Sequence, residues 1–214
     1  MSDPADFVRA NTAIASPPLV PEIRLYLASE ITPIWQASEA TLHASGVPPP
    51  YWAFAWPGGQ ALARHVLDHP ALVQGKRVLD FAAGCGIGAI AAMRAGAREA
   101  VSNDLDAFAA AAATLNAALN GVAVICDTDD LTGRAPERWD VVLAGDVCYE
   151  RAMAERAFDW LQRAAKSGAL VLIADPGRAY KPTDGLVEVA RYDVPTTREL
   201  EDRELRTCVV ARVS

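Results

Sequence analysis

The chain has 214 residues, enough for one domain with a well-filled core and too few to require a second. Its make-up, 51% hydrophobic and 22% charged, is that of a globular α/β protein, and a formal charge of −7 argues against tight non-specific binding of nucleic acid, which Lys and Arg supply by neutralising phosphates. Cys85, Cys126, Cys148 and Cys208 are scattered, with no C-x-x-C pair and no His spacing suited to zinc, so they read as reduced thiols and no metal is expected.

The N-terminus lacks an apolar signal core, and the longest strongly apolar run, Ala169 to Ala174, is far too short to span a bilayer; a cytoplasmic protein without a membrane partner is expected. Residues 1–50 read as an N-terminal extension packing on the core, with short helical pieces from Pro21 to Ser29, then Ile31 to Trp35, and a stop at Pro48-Pro49-Pro50. The main domain, 51–214, opens on the aromatic segment Tyr51-Trp52-Ala53-Phe54-Ala55-Trp56. Pro57-Gly58-Gly59 then starts an amphipathic helix through Leu62, Val66 and Leu67.

An alternation of strands and helices follows. Strand Arg77 to Asp80 runs through a glycine turn into helix Ile87 to Ala95, then strand Glu99 to Asn103 and helix Ala107 to Leu119, closed by Asn120-Gly121. Strands Val122 to Cys126 and Asp140 to Ala144, helix Arg151 to Lys166 and strand Ala169 to Ala174 continue the series. Runs such as Val141-Val142-Leu143 are continuously apolar, as in parallel strands buried on both faces. Val187 to Tyr192 and Thr207 to Val213 are two strands with no helix between them, which predicts an antiparallel hairpin at the sheet edge. The expected fold is α/β: a Rossmann-like, seven-stranded, mostly parallel sheet with an antiparallel C-terminal hairpin and helices on both faces.

In such a sheet the ligand lies beyond the carboxyl ends of the strands, and here those ends carry acids. Asp80-Phe81-Ala82-Ala83-Gly84-Cys85-Gly86 is a nucleoside-binding turn, and Asp104 ends the next strand where a carboxylate can accept ribose hydroxyls. Gly84, Gly86 and Ala89 also fit the dinucleotide pattern G-x-G-x-x-A, so an NAD-dependent oxidoreductase is one alternative. Asp80, read as facing the same crevice, disfavours a pyrophosphate and favours the ammonium and sulfonium of S-adenosylmethionine, and no Lys or Arg lies between Gly84 and Met93 to neutralise a phosphate.

Asp129-Asp130-Leu131 stands where a carboxylate can take the adenine amino group, Asp130 being a candidate and Asp129 its alternative; an exposed turn is the competing reading. In Gly145-Asp146-Val147-Cys148-Tyr149 a buried strand runs into D-x-x-Y, setting a carboxylate and a phenol beside a transferable methyl, where alignment of an amine lone pair is the main catalytic demand. Trp56 is a candidate cover for a sulfonium through cation–π attraction, Arg178 a contact for substrate acids or a salt bridge, and His43, His65 and His69 read as structural.

Taken together, Phe54-Ala55-Trp56-Pro57-Gly58-Gly59, the turn from Val78 to Gly86, Ser102 to Asp106, Leu143 to Tyr149 and Asp175-Pro176-Gly177-Arg178 resemble the seven-β-strand (class I) protein lysine methyltransferases of family 16. The closest likeness within that family is to the electron transfer flavoprotein β-subunit lysine methyltransferases and their bacterial relatives. The resemblance implies that Trp56, Asp80, Gly84, Gly86 and Asp104 hold S-adenosylmethionine and that Asp146 and Tyr149 are catalytic and receive a lysine; the contact of Asp130 with the cofactor rests on the residue reading alone. It also implies a protein partner with accessible lysines, such as the flavoprotein β subunit. Ala82 stands where the commonest form, D-x-G-x-G, has its first glycine, a departure that asks for a tolerated methyl group. A small-molecule N-methyltransferase is the other alternative.

Overall fold

The computed structural model describes residues 3–29, 49–136, 139–196 and 204–214. Its frame is a seven-stranded sheet made of β3 (Arg77–Phe81), β4 (Glu99–Asn103), β5 (Ile125–Asp127), β6 (Val141–Gly145), β7 (Leu170–Asp175), β8 (Leu186–Pro195) and β9 (Leu205–Val213), in the order β5-β4-β3-β6-β7-β9-β8. The strands from β5 to β7 pair in parallel, and β9 joins β7 antiparallel with β8 on the edge, so the expected sheet and C-terminal hairpin are both present.

The strand period of two sorts side chains between two cores. Val78, Val141, Leu143 and Leu172 meet α2 (Pro57–Asp68) and α3 (Ile87–Arg94) through Leu62, Val66 and Ile90. Leu79, Val142, Ala144 and Ile173 meet α5 (Arg151–Lys166), whose Trp160 stacks on Phe81 with ring centroids 5.2 Å apart. The continuous apolar runs in the sequence follow from this, since both faces of each central strand are covered.

The sheet order reverses beside β3, which has β4 on one side and β6 on the other. At such a switch point the connections leave in opposite directions and open a crevice over the strand ends.

The N-terminal region differs from expectation. Helix α1 (Pro4–Asn11), which the sequence reading did not anticipate, is capped by Asp3, whose side chain accepts the Ala5 amide at 3.0 Å, with proline at its first position. Between Pro21 and Ser29, where helical pieces were expected, the chain forms turns and β2 (Leu25–Leu27), paired with β1 (Ala13–Ala15). The cause lies in helix α4 (Ala107–Leu119) and the asparagine that follows it. The Asn120 side chain takes both the amide and carbonyl of Arg24, and Asn116 accepts the Tyr26 amide at 2.7 Å, groups a helix would have needed for itself. Phe7 of α1 packs on Phe108 of α4 at 4.9 Å and edge-on to Trp52 at 6.4 Å. The expected segment Ile31 to Trp35, His43 and Pro48 lie outside the described residues.

β5 begins at Ile125, not Val122: the Val122 amide still bonds back to Ala117 in the C-terminal turn of α4, which takes that residue out of the strand. Among the described residues no helix is long and apolar enough to cross a membrane.

Candidate active site

A cavity of about 670 Å³ lies over the carboxyl ends of β3, β4 and β6, a size usual for a cofactor or drug-sized ligand. Its floor is the turn after β3. Gly84 has φ +53 and faces the cavity; a Cβ placed there would meet nothing closer than the Trp52 Cα at 3.8 Å, so the bare backbone leaves a cradle against which a ligand can lie. Asp104 closes that cradle. Its two carboxylate oxygens accept the amides of Gly84 (2.9 Å) and Asp106 (3.1 Å), and burial raises its pKa above the ordinary carboxylate value.

Asp80 is a correction to the sequence reading. On β3 it shares a face with Val78, toward α3, and its carboxylate turns under the glycine turn to accept the Ala89 amide at 2.8 Å. It does not line the cavity. Burial pushes its pKa up to about 7, against the amide bonds that lower it. Gly86, with φ +75, is likewise outside the lining: a Cβ there would fall 2.8 Å from that of Ala113, so this glycine lets the turn close on α4. Both residues shape the turn from beneath.

The acidic loop after β5 forms the next wall. Asn103, buried at the end of β4, donates from Nδ2 to the carboxylate of Asp127 (2.9 Å) and the carbonyl of Asp129 (3.0 Å), which pins the loop. Asp130 lines the cavity but is also held by Thr132 and by Arg156 of α5 at 2.7 Å; the Thr132 hydroxyl above all draws its pKa down.

On the opposite side α2 touches down on the sheet. A Cβ on Gly58 would lie 2.5 Å from the Ala174 carbonyl and 2.6 Å from Asp146 Oδ2, and one on Gly145 would lie 2.7 Å from the Gly59 amide. Only glycines permit this approach, and it lets the Gly59 amide donate to Asp146 Oδ2 at 3.0 Å. Asp146 sits at φ +56, a left-handed conformation that aspartate tolerates better than most residues. Its other oxygen faces Arg178 Nη2 at 3.4 Å.

An aromatic group lines the same cavity. Tyr149 lies 5.2 Å from Tyr51, and Tyr51 is edge-on to Trp56, whose indole N–H donates to the Tyr51 carbonyl at 2.8 Å. Burial pushes the Tyr149 phenol up to about 12, so it stays a hydrogen-bond donor at neutral pH.

The cavity suits an adenosyl sulfonium. Asp104, Asp129, Asp130 and Asp146 line its walls, and the turn from Gly84 to Met93 carries no Lys or Arg to hold a pyrophosphate. Residues 61–149 match the family model "Ribosomal protein L11 methyltransferase (PrmA)". The electron transfer flavoprotein beta subunit lysine methyltransferase of Danio rerio is 39% identical over 98% of this chain and 83% of its own. That of Xenopus laevis is 43% identical over 82% and 71%. The chain belongs to this family of lysine methyltransferases. It is an S-adenosylmethionine-dependent protein-lysine N-methyltransferase. Among solved structures, magnesium protoporphyrin IX methyltransferase from Synechocystis PCC 6803 with bound SAM shares the fold, with a TM-score of 0.53 and 18% identity over 73% of this chain and 78% of that one.

Of the residues singled out in the sequence, Trp56, Gly84, Asp104, Asp130, Asp146 and Tyr149 meet around one cavity, with Arg178 at its edge. His65 lies elsewhere, with Nδ1 3.0 Å from the Tyr192 hydroxyl and its ring 4.5 Å from that of His69. Tyr51, Asn103 and Arg156 were not anticipated. An asparagine closing a strand was the available signal for Asn103, and membership of the aromatic segment that opens the main domain the signal for Tyr51; Arg156 reaches the cavity from a helix position that carries no such mark.

Proposed function

We propose that this methyltransferase modifies lysine side chains of the electron transfer flavoprotein β subunit, with Asp146 receiving the amine. The observation that carries the reading is the Asp146 carboxylate, fixed by the Gly59 amide on a left-handed backbone at the wall of a cavity that Tyr51, Trp56 and Tyr149 also line. Gly84 and Asp104 would hold the adenosyl end of S-adenosylmethionine, Asp130 its base and Trp56 its sulfonium side, while Asp80 and Gly86 keep the turn in shape. The bound cofactor supplies an electrophilic methyl group.

The chain's own residues do the rest. Lysine, with a pKa near 10.4, must be neutral to attack, and Asp146 accepts an N–H of the amine so that its lone pair points along the transfer line. Tyr149 borders the entry as a phenol and is not the base; the proton leaves to water. The substrate assignment is supported by the identity of the vertebrate relatives, which are electron transfer flavoprotein beta subunit lysine methyltransferases.

The test is mass spectrometry of recombinant electron transfer flavoprotein incubated with the enzyme and S-adenosylmethionine. Methylated lysine on the β subunit is expected. Asp146→Asn keeps a residue that tolerates positive φ and removes the charge; it should lower kcat about 100-fold or more with cofactor affinity within about twofold. Methyl transfer to small amines alone would overturn the reading, and loss of cofactor binding in Asp146→Asn would reassign that residue.

A further inference from the structure

The turn after β7 holds a cation over the acceptor carboxylate. Asp175 Oδ1 accepts the amides of Gly177 and Arg178, both at 2.7 Å, and this Asx turn fixes where the Arg178 side chain starts. From there the guanidinium reaches back across the cavity edge. Its carbon lies 5.7 Å from the centre of the Trp56 ring and its Nη2 lies 3.4 Å from Asp146 Oδ1. A carboxylate and an aromatic face are also what a substrate ammonium would seek at this spot. The ion pair is long beside the 2.7–2.9 Å of a strong charge-assisted bond, and the Arg178 side chain is 22% exposed.

The geometry points to Arg178 as a place-holding cation that occupies the lysine seat between Trp56 and Asp146 in the resting enzyme and yields it to the substrate. This deepens the proposed function and rests on the assignment of Asp146 as the receiver of the amine. Two consequences follow from the shared seat. The carboxylate is kept paired and pre-aimed while no substrate is present, so its desolvated charge does not collapse onto another donor. An acceptor must also displace an internal competitor, so amines that engage the protein only through the ε-nitrogen are held weakly, and those carried on a docked protein loop are favoured.

The experiment compares the full-length protein with Arg178→Gln and Arg178→Ala, using n-butylammonium as a lysine side-chain probe read by tryptophan fluorescence, and the recombinant flavoprotein as methyl acceptor. Both variants are expected to bind n-butylammonium about five- to tenfold tighter than the wild type, to lose that gain when n-propylguanidinium is added, and to show a KM for the flavoprotein lowered by a similar factor. Unchanged or weaker probe binding in variants that melt like the wild type would overturn the inference and make Arg178 a support for Asp146. Failure of both variants to fold would overturn it too, by making the residue structural. If the wild type leaves the flavoprotein unmodified while the variants still bind the probe more tightly, the substrate assignment falls and the place-holder stands.

Discussion

Ala82 and Asp146 both carry a side chain at positive φ, +52 and +56, and both follow a strand that ends at the cavity. A left-handed backbone costs an L-residue roughly 1–2 kcal/mol, so each is held there by its surroundings. At Asp146 the strain accompanies the role proposed for it, receiving the amine. At Ala82 none is evident, and the sequence comparison with D-x-G-x-G, which showed only a methyl in place of hydrogen, understated what the position demands. Ala82→Gly should therefore stabilise the protein, by up to about 1 kcal/mol once the extra freedom of the unfolded glycine is offset, and raise the melting temperature by about 2–4 °C in calorimetry. Asp80 gives a second residue-level test. Its pKa is raised in the fold, to about 7, against about 3.9 unfolded, so the native state holds the proton more tightly. The associated stability is fully present below about pH 4 and lost as pH climbs toward 7. Denaturant midpoints should fall across that window in the cofactor-free wild type and fall less in Asp80→Asn, which cannot ionise. The sequence already held the clue to where this carboxylate points: Val78 and Asp80 are two apart, on one face of β3, under the helix and away from the crevice.

At the scale of elements, the glycine pairs of α2 and β6 matter most. Pro57-Gly58-Gly59 is readable as a helix start, but that a helix N-terminus presses onto two strand ends appears only in three dimensions. Gly58→Ala would drive a methyl into the Ala174 carbonyl and the Asp146 backbone, both of them unable to rotate away. We expect about 1–3 kcal/mol of destabilisation by denaturant titration, with a larger proportional loss of kcat because the Gly59–Asp146 bond shifts too. The βαβ elements were legible because their apolar periods are strong and glycines or asparagines punctuate them. The N-terminal hairpin was not, since β1 and β2 are three residues each and owe their form to Asn116 and Asn120 about ninety residues on. The same distance explains why nothing local marks Tyr26 as an anchor of the cofactor side, although Asn116 joins its amide to the Cys85 carbonyl of the glycine turn.

For the molecule as a whole, a charge of −7 and a cavity lined by carboxylates set up a field that draws cations. A lysine-bearing loop of the acceptor should arrive faster at low ionic strength. Raising salt from about 20 to 300 mM, which shortens the screening length to well under 10 Å, should raise KM for the protein acceptor several-fold and move cofactor affinity much less, since the cofactor is met inside the cavity. Stopped-flow association rates would check this directly, and a flat salt response would contradict it.

β3 and β6 are hydrogen-bonded neighbours in register, Phe81 opposite Ala144, and adjacent strands stand about 4.8 Å apart whatever their sequence. On the proposed roles of Gly84 and Asp146, the donor's berth hangs from the first and the acceptor's from the second, so the sheet would act as a fixed ruler for the jump a methyl group must make. Loops at either end are then free to change which protein is measured against it while the gauge itself stays constant.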